Sequence, residues 1–369
     1  MINISKPIIG KEEIAAVLKV LKSGMIVQGP VVEKLEENFA KYCGTKYAVA
    51  FNSGTAAIHA GLYTLGIGPG DEIITTPFTF VATANPILMQ GAKVVFADIS
   101  EDDFNIDPKE VEKKITKKTK AIIPVDLYGQ VYNYPAIKKI AKKYHLKILE
   151  DACQAVGANR GKARAGNFGD VAAFSLYATK NIMSGEGGLI TTNDEKIAEK
   201  CKMFRHHGQS EKTKYEYFDL GYNYRMTDIL AAIGLVQLKK IESFSRRRIQ
   251  NAELLSRGLK DVKGLIIPKI KAEHRHVFHQ YTVRIDKDFG HSRDELIESL
   301  KKRGINPGVY YPKPLHLHRH FKNQGYKAGD FPVSEQMSKE VLSLPVHPRL
   351  RSRDILYIIK TVKGIANEK

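Results

Sequence analysis

Tyr47-Ala48-Val49-Ala50-Phe51-Asn52-Ser53-Gly54-Thr55-Ala56-Ala57 is the stretch on which the fold turns. Residues 47–51 are a short apolar run of the kind that suits a strand covered on both faces. A small, Gly-containing turn follows, and residues 55–65 then read as an apolar helix. The same alternation continues downstream. Strand-like runs are expected at 72–75, 93–96, 121–124, 147–150 and 171–175, with helices at 81–90 and 134–144. Continuous apolar strands separated by helices predict a mainly parallel sheet flanked by helices, and ligands of such sheets gather at the carboxyl ends of the strands.

The last third reads differently. Residues 227–259 form one long helical stretch, apolar early and then basic at Arg246-Arg247-Arg248. Strand-like runs at 279–285 and 306–311 and helical runs at 292–303, 337–341 and 352–363 follow. The fold class expected is therefore α/β, with a large domain over residues 1–245 and a smaller C-terminal α+β domain over 246–369. The 369 residues suffice for both.

Composition excludes several classes. Apolar residues make up 43% and charged residues 27%, as in an ordinary globular protein. Nothing approaches the roughly 20 apolar residues of a membrane helix, and Met1–Pro7 lacks the succession of a secretory signal. Three scattered cysteines, Cys43, Cys153 and Cys201, offer neither a disulfide framework nor metal spacing, so no metal and a cytoplasmic location are expected. The net charge of +18 calls for an acidic partner. Its lysines are spread along polar stretches such as 109–120 and 138–147, read as helix faces, and no nucleic-acid signature accompanies them. No nucleic-acid partner is expected.

Four features fall after strands. Asn52-Ser53-Gly54-Thr55 opens a helix, where free N–H groups and the helix dipole suit a phosphate, or where Ser53 merely caps. Asp151, in Glu150-Asp151-Ala152-Cys153-Gln154, stands at a strand end where a carboxylate can pair with a cationic ring nitrogen, or cap a helix. In the run Ser175 to Lys180, a serine for a phosphate precedes a lysine able to form a Schiff base, and Ser184-Gly185-Glu186-Gly187-Gly188 follows as a flexible turn. Thr76-Pro77-Phe78-Thr79-Phe80 supplies aromatic rings for the core or for stacking on a flat cofactor. Together they supply what a pyridoxal 5′-phosphate (PLP) enzyme requires.

Nearly end to end, from Ser23-Gly24…Gln28-Gly29-Pro30 to Ser343-Leu344-Pro345-Val346-His347-Pro348, the chain resembles the nucleotide-sugar aminotransferases, a branch of the fold type I PLP enzymes. Its most specific pieces are the motifs above with Pro69-Gly70-Asp71-Glu72-Ile73, Asn223-Tyr224-Arg225-Met226-Thr227-Asp228 and Tyr311-Pro312-Lys313-Pro314-Leu315-His316. The resemblance implies that Lys180 holds the cofactor and Asp151 pairs with its ring nitrogen. Gln154 would lie beside the ring and Phe80 on its face. Ser53, Gly54, Thr55 and Ser175 would hold the phosphate, and Asn223 would reach the neighbouring subunit's cofactor in a homodimer with shared sites. Arg225, Tyr311 and His316 match positions near the substrate. The implied reaction moves an amino group from an amino acid, glutamate being the expected donor, to a nucleotide-linked keto sugar. A lysine at position 180 disfavours the dehydrating branch, which carries histidine there, and Tyr310 departs from relatives with histidine. A free keto-cyclitol acceptor and a PLP-binding regulatory protein without turnover are the alternatives.

Overall fold

The computed structural model describes residues 1–210, 213 and 215–368. Among these, the strands are β1 (Ile2–Asn3), β2 (Tyr47–Phe51), β3 (Glu72–Thr75), β4 (Lys93–Phe96), β5 (Thr119–Ile122), β6 (Lys147–Asp151), β7 (Asn159–Arg160), β8 (Ala163–Arg164), β9 (Val171–Ser175) and β10 (Gly188–Thr192). β11 (Leu265–Ile266), β12 (His274–Arg275), β13 (Tyr281–Ile285), β14 (Ile305–Asn306) and β15 (Val341–Leu344) complete them. The helices that position the site are α1 (Lys11–Ser23), α2 (Pro30–Cys43), α3 (Gly54–Thr64), α4 (Asn85–Met89), α5 (Pro108–Lys113), α6 (Tyr134–Tyr144), α7 (Glu195–Arg205) and α8 (Asp228–Leu259).

The central sheet has seven strands in the order β2-β10-β9-β6-β5-β3-β4. Every neighbouring pair is parallel except those made by β10, which runs antiparallel to both β2 and β9. Both faces are covered, as the apolar strands require. Along β9 the side chains alternate between the two sides. Ala172 and Phe174 join a core with Leu35 and Phe39 of α2, while Val171 and Ala173 join a second core with Ile58 of α3 and Phe204 of α7. A third core gathers Leu255 and Leu259 of α8 with Tyr281, Val283, Leu342 and Leu344. β1 from the N-terminus pairs with β14, and residue 245 falls inside the continuous helix α8.

Several expected elements differ. The helix expected over 81–90 is a 3-10 turn, Val81–Thr83, followed by α4, because Pro86 suits only the first turn of a new helix. The lysine-rich stretch 109–120 is not one helix face: α5 stops at Lys113 and β5 starts at Thr119. Lys147, at the end of the stretch 138–147, likewise begins β6 after α6 has ended at Tyr144. The strand expected over 306–311 ends at Asn306, since Pro307 has no N–H to donate. The helix expected at 337–341 is Pro332–Glu340, and Val341 instead opens β15, paired with β13. Gly188 belongs to β10 rather than to a flexible turn. Among the described residues, no helix is long and apolar enough to cross a membrane.

Two buried polar contacts lock the sheet domain. Arg205 pairs with Glu36 while donating to the Ala50 carbonyl at 2.9 Å, and Glu36 accepts from the Ala50 N–H at 2.7 Å. Asp228, the first residue of α8, reaches the start of α2, where its carboxylate accepts from the N–H groups of Gly29, Val31 and Val32 at 2.9, 3.1 and 2.9 Å. It thus satisfies donors that a helix N-terminus otherwise leaves orphaned. Asp228→Ala is expected to destabilise the protein by roughly 2–4 kcal/mol, because three N–H groups lose their acceptor at once. Urea unfolding of the two proteins, compared at equal slope, checks this.

Candidate active site

β6 and β9 are neighbours, with Asp151 level with Ala173, so the chain leaves both strands at the same edge of the sheet. A cavity of about 520 Å³ opens there. Ser53, Gly54, Thr55, Phe80, Asp151, Gln154, Ser175, Lys180 and Tyr311 all line it. Tyr310 lines it as well, with walls to which sequence reading gave no role, among them Thr83, Tyr177, Glu186, His279 and Gln280.

One end of the cavity is a cradle of donors. Ser53 Oγ accepts from the Ala56 N–H at 3.1 Å, so this side chain caps α3. The N–H groups of Gly54 and Thr55 make no hydrogen bond within the described chain, and the Thr55 and Ser175 hydroxyls stand beside them. Gly54 is needed by contact: a Cβ there would lie 2.9 Å from Ser175 Cβ and 3.2 Å from Cys153 Sγ. Gly188 lets β10 pass the same turn, since its Cβ would sit 2.2 Å from the Ser53 carbonyl oxygen. Unpaired amides at a helix N-terminus, with two hydroxyls, are a donor set that suits a phosphate.

The acidic wall is fixed from two sides. Asp151 is buried, and its Oδ2 accepts from Thr83 Oγ1 at 2.7 Å while Oδ1 accepts from the Cys153 N–H at 3.2 Å. Gln154 accepts from the Tyr128 N–H at 3.0 Å and donates to the Tyr311 hydroxyl at 3.2 Å, so its amide is held at the cavity wall. Burial pushes the Tyr311 hydroxyl up, and the Asp151 charge adds to it. Phe78 is core, whereas Phe80 is 56% exposed and lies over the opening, stacked with Tyr311 at 6.2 Å between ring centres.

Lys180 follows a tight turn, its N–H donating to the Tyr177 carbonyl at 2.9 Å. Burial lowers the pKa of its amine, while Cys153 and Asp151 act in the opposite sense. A lowered amine pKa beside a carboxylate is what a Schiff-base lysine requires.

Three expected residues stand elsewhere. Asn223 is exposed and does not line the cavity of its own chain; its carbonyl accepts from Asn52 Nδ2 at 3.5 Å, tying it to the residue before the cradle. Arg225 contacts His206 Nδ1 at 3.0 Å and is likewise outside the cavity. His316 is fully buried. Its Nε2 lies 3.0 Å from Glu335, Phe331 packs on its ring, burial lowers its pKa, and it does not line the cavity.

The model of the DegT/DnrJ/EryC1/StrS aminotransferase family matches residues 7–363. The chain belongs to that family of sugar aminotransferases. GDP-perosamine synthase of Caulobacter vibrioides is 36% identical over 338 residues, covering 91% of this chain and 90% of the relative. DesV of S. venezuelae superimposes with a TM-score of 0.93 at 37% identity, covering 97% of this chain and 95% of that one. Spr1654 of Streptococcus pneumoniae, solved in PLP and PMP forms, gives 0.94 at 31% identity, with 99% and 98% covered in the PLP form. This family member is a PLP-dependent aminotransferase. Its cradle, buried carboxylate and amine fit the cofactor. Gly54→Ala is expected to weaken PLP binding roughly ten- to a hundredfold by crowding the cradle, with little change in fold. Absorbance titration with PLP, alongside far-UV circular dichroism, measures both.

Proposed function

We propose that the enzyme transfers an amino group from glutamate to the keto group of a nucleotide-linked sugar, with Lys180 and Asp151 as its catalytic residues. The observation that carries this reading is the sharing of one cavity by Lys180, Asp151 and the Gly54/Thr55 cradle. GDP-perosamine synthase, by its name, is a relative that makes a nucleotide-linked sugar, which supports the acceptor class.

When bound, PLP supplies the electron sink that lets a C–H bond beside an amine ionise. The residues do the rest. Gly54, Thr55 and Ser175 would hold its phosphate, Ser53 keeps that turn in place, and Phe80 would cover the ring. Asp151, steadied by Thr83, would pair with the ring nitrogen, and Gln154 would lie beside the ring. Lys180 Nζ would take the proton leaving the α-carbon of the amino donor and return it on the far side of the amine nitrogen. Burial lowers the pKa of this amine, the direction a base requires. Tyr310, Tyr311, Gln280 and Glu186 bound the remaining space, where the sugar would lie.

The reading extends to a homodimer in the cytoplasm. Asn223 is exposed and lies outside its own cavity, as a residue serving a neighbouring site would. α1 presents Ile14, Leu18 and Leu21 outward, with Met25, Ile26 and Val27 just beyond, all at least 45% exposed, an apolar surface that suits burial against a second copy. Arg225 would meet the acceptor only across such an interface. The net charge of +18 favours a diphosphate-bearing substrate.

In the PLP-loaded protein, glutamate is expected to bleach the visible band, and keto nucleotide sugars to restore it while nucleotide-free ketones do not. Lys180→Ala should lose at least about 100-fold in rate, and Asp151→Asn should lose more in rate than in cofactor affinity. Acceptor KM should rise with ionic strength as the charge is screened. A band indifferent to every amino donor would refute the proposal.

A further inference from the structure

Lys180 has a neighbour that the scheme above does not use. His279, just before β13, is only 7% exposed and lines the same cavity. Its Nδ1 lies 3.3 Å from Oδ1 of Asn181, the residue next to Lys180. Asn181 is itself buried and donates from Nδ2 to the Val277 carbonyl at 3.2 Å. That bond turns Oδ1 toward the histidine. An amide oxygen can only accept, so the imidazole proton stands on Nδ1 and Nε2 keeps a free lone pair.

The backbone around His279 is held as firmly. Arg248 of α8, buried, donates from Nη1 to the carbonyls of Phe278 at 3.1 Å and His279 at 3.4 Å. Phe278 has φ of 46°, a left-handed conformation that a bulky residue adopts only when its surroundings impose it. Burial, the Lys180 charge and the Arg248 charge together hold the imidazole well below its ordinary range, so it is neutral.

Resting on the reading of Lys180 as the cofactor lysine, we infer that His279 is a positioning residue whose Nε2 accepts a hydrogen bond from the Lys180 amine once that amine is released from the cofactor. A freed lysine has four rotatable bonds and three donors. A neutral acceptor on a fixed ring restricts that freedom and aims Nζ at the reacting carbons, and Asn181 sets the tautomer that makes it an acceptor.

The test uses enzyme loaded with pyridoxamine phosphate, the form in which Lys180 is free. The pH dependence of Lys180 acetylation by acetic anhydride, followed on its peptide by mass spectrometry, reports the amine's pKa. A hydrogen bond from the ammonium favours the charged form, so its loss lowers that pKa. His279→Leu is expected to shift the profile down by about one pH unit and to lower kcat for the glutamate half-reaction about tenfold with KM little changed. His279→Gln, which keeps an acceptor, should restore most of both. Asn181→Leu, which leaves the imidazole but releases its tautomer, should shift the profile the same way by less, and it serves if His279→Leu does not fold. The other groups facing the pair stay constant across these variants: Asp151 and Cys153 from the β6 side, Glu186 beyond the lysine turn, Tyr310 and Tyr311 opposite, and Arg248 on α8. An unmoved profile in His279→Leu and Asn181→Leu, or His279→Gln behaving like His279→Leu, would overturn the role. Equal labelling of Lys180 in the PLP and pyridoxamine forms would instead overturn the reading of Lys180 itself.

Discussion

The pairing of β6 with β9 is the constraint on which the site depends. Two parallel strands about 5 Å apart leave a sheet at the same edge, and whatever follows each strand must share the space beyond it. Asp151 ends one strand and Ser175 the other, with Lys180 a short turn later. Their approach is therefore a property of strand order rather than of the local turns. The antiparallel strand β10 then crosses between β9 and β2, and its first residue, Gly188, brings the cradle before α3 up against this edge. The donor cradle, the acid and the amine are three consequences of one hydrogen-bonded ladder.

The parts of the chain that were legible are those in which each residue is apolar for one reason. The strands around 47–51, 72–75 and 171–175 are buried on both faces, so their runs are largely apolar, and the edge strand at 93–96 keeps Val94 and Phe96 buried. β10 was hidden because its opening glycines serve a close backbone approach and read as a loop. β15 continues directly from a helix, and Val341 suits either state. Residues 306–311 carry the β-branched and aromatic residues of a strand, but Pro307 removes the ladder. Asp151, Lys180 and the residues before α3, which line one cavity, stand in distinctive motifs and so were legible. Thr83 was not, since a hydroxyl that donates to a carboxylate from a 3-10 turn looks like any buried threonine. His316 shows the converse: its place in a distinctive motif does not reveal that Glu335 and Phe331 enclose it.

Strand periodicity also separates two acids that stand side by side in sequence. Asp151 faces the cavity, while Glu150 turns to the other side of the sheet and accepts from the N–H groups of Gly166 at 2.7 Å and Phe168 at 3.1 Å. Asp126 is buried nearby, taking the Tyr132 N–H at 2.9 Å. Burial raises the pKa of both Glu150 and Asp126, so this second acidic pocket resists accumulating charge. Of these three acids only Asp151 lines the cavity, oriented there by Thr83 and the Cys153 N–H.

α8 joins these arrangements into one body. At its start Asp228 caps α2, which packs beneath the sheet that carries the cradle and the acid. Five turns later Arg248 grips the carbonyls before β13 and so fixes the segment bearing His279 and Gln280. The walls contributed by the sheet and those contributed by the C-terminal third are thus referenced to a single rigid helix, 32 residues long. A cavity assembled across two hydrophobic cores needs such a shared strut, because either core alone would hold its own residues in place without fixing their distance from the others. The chemistry on the sheet side can then stay constant while Tyr310, Tyr311 and Gln280 shape what is admitted opposite it.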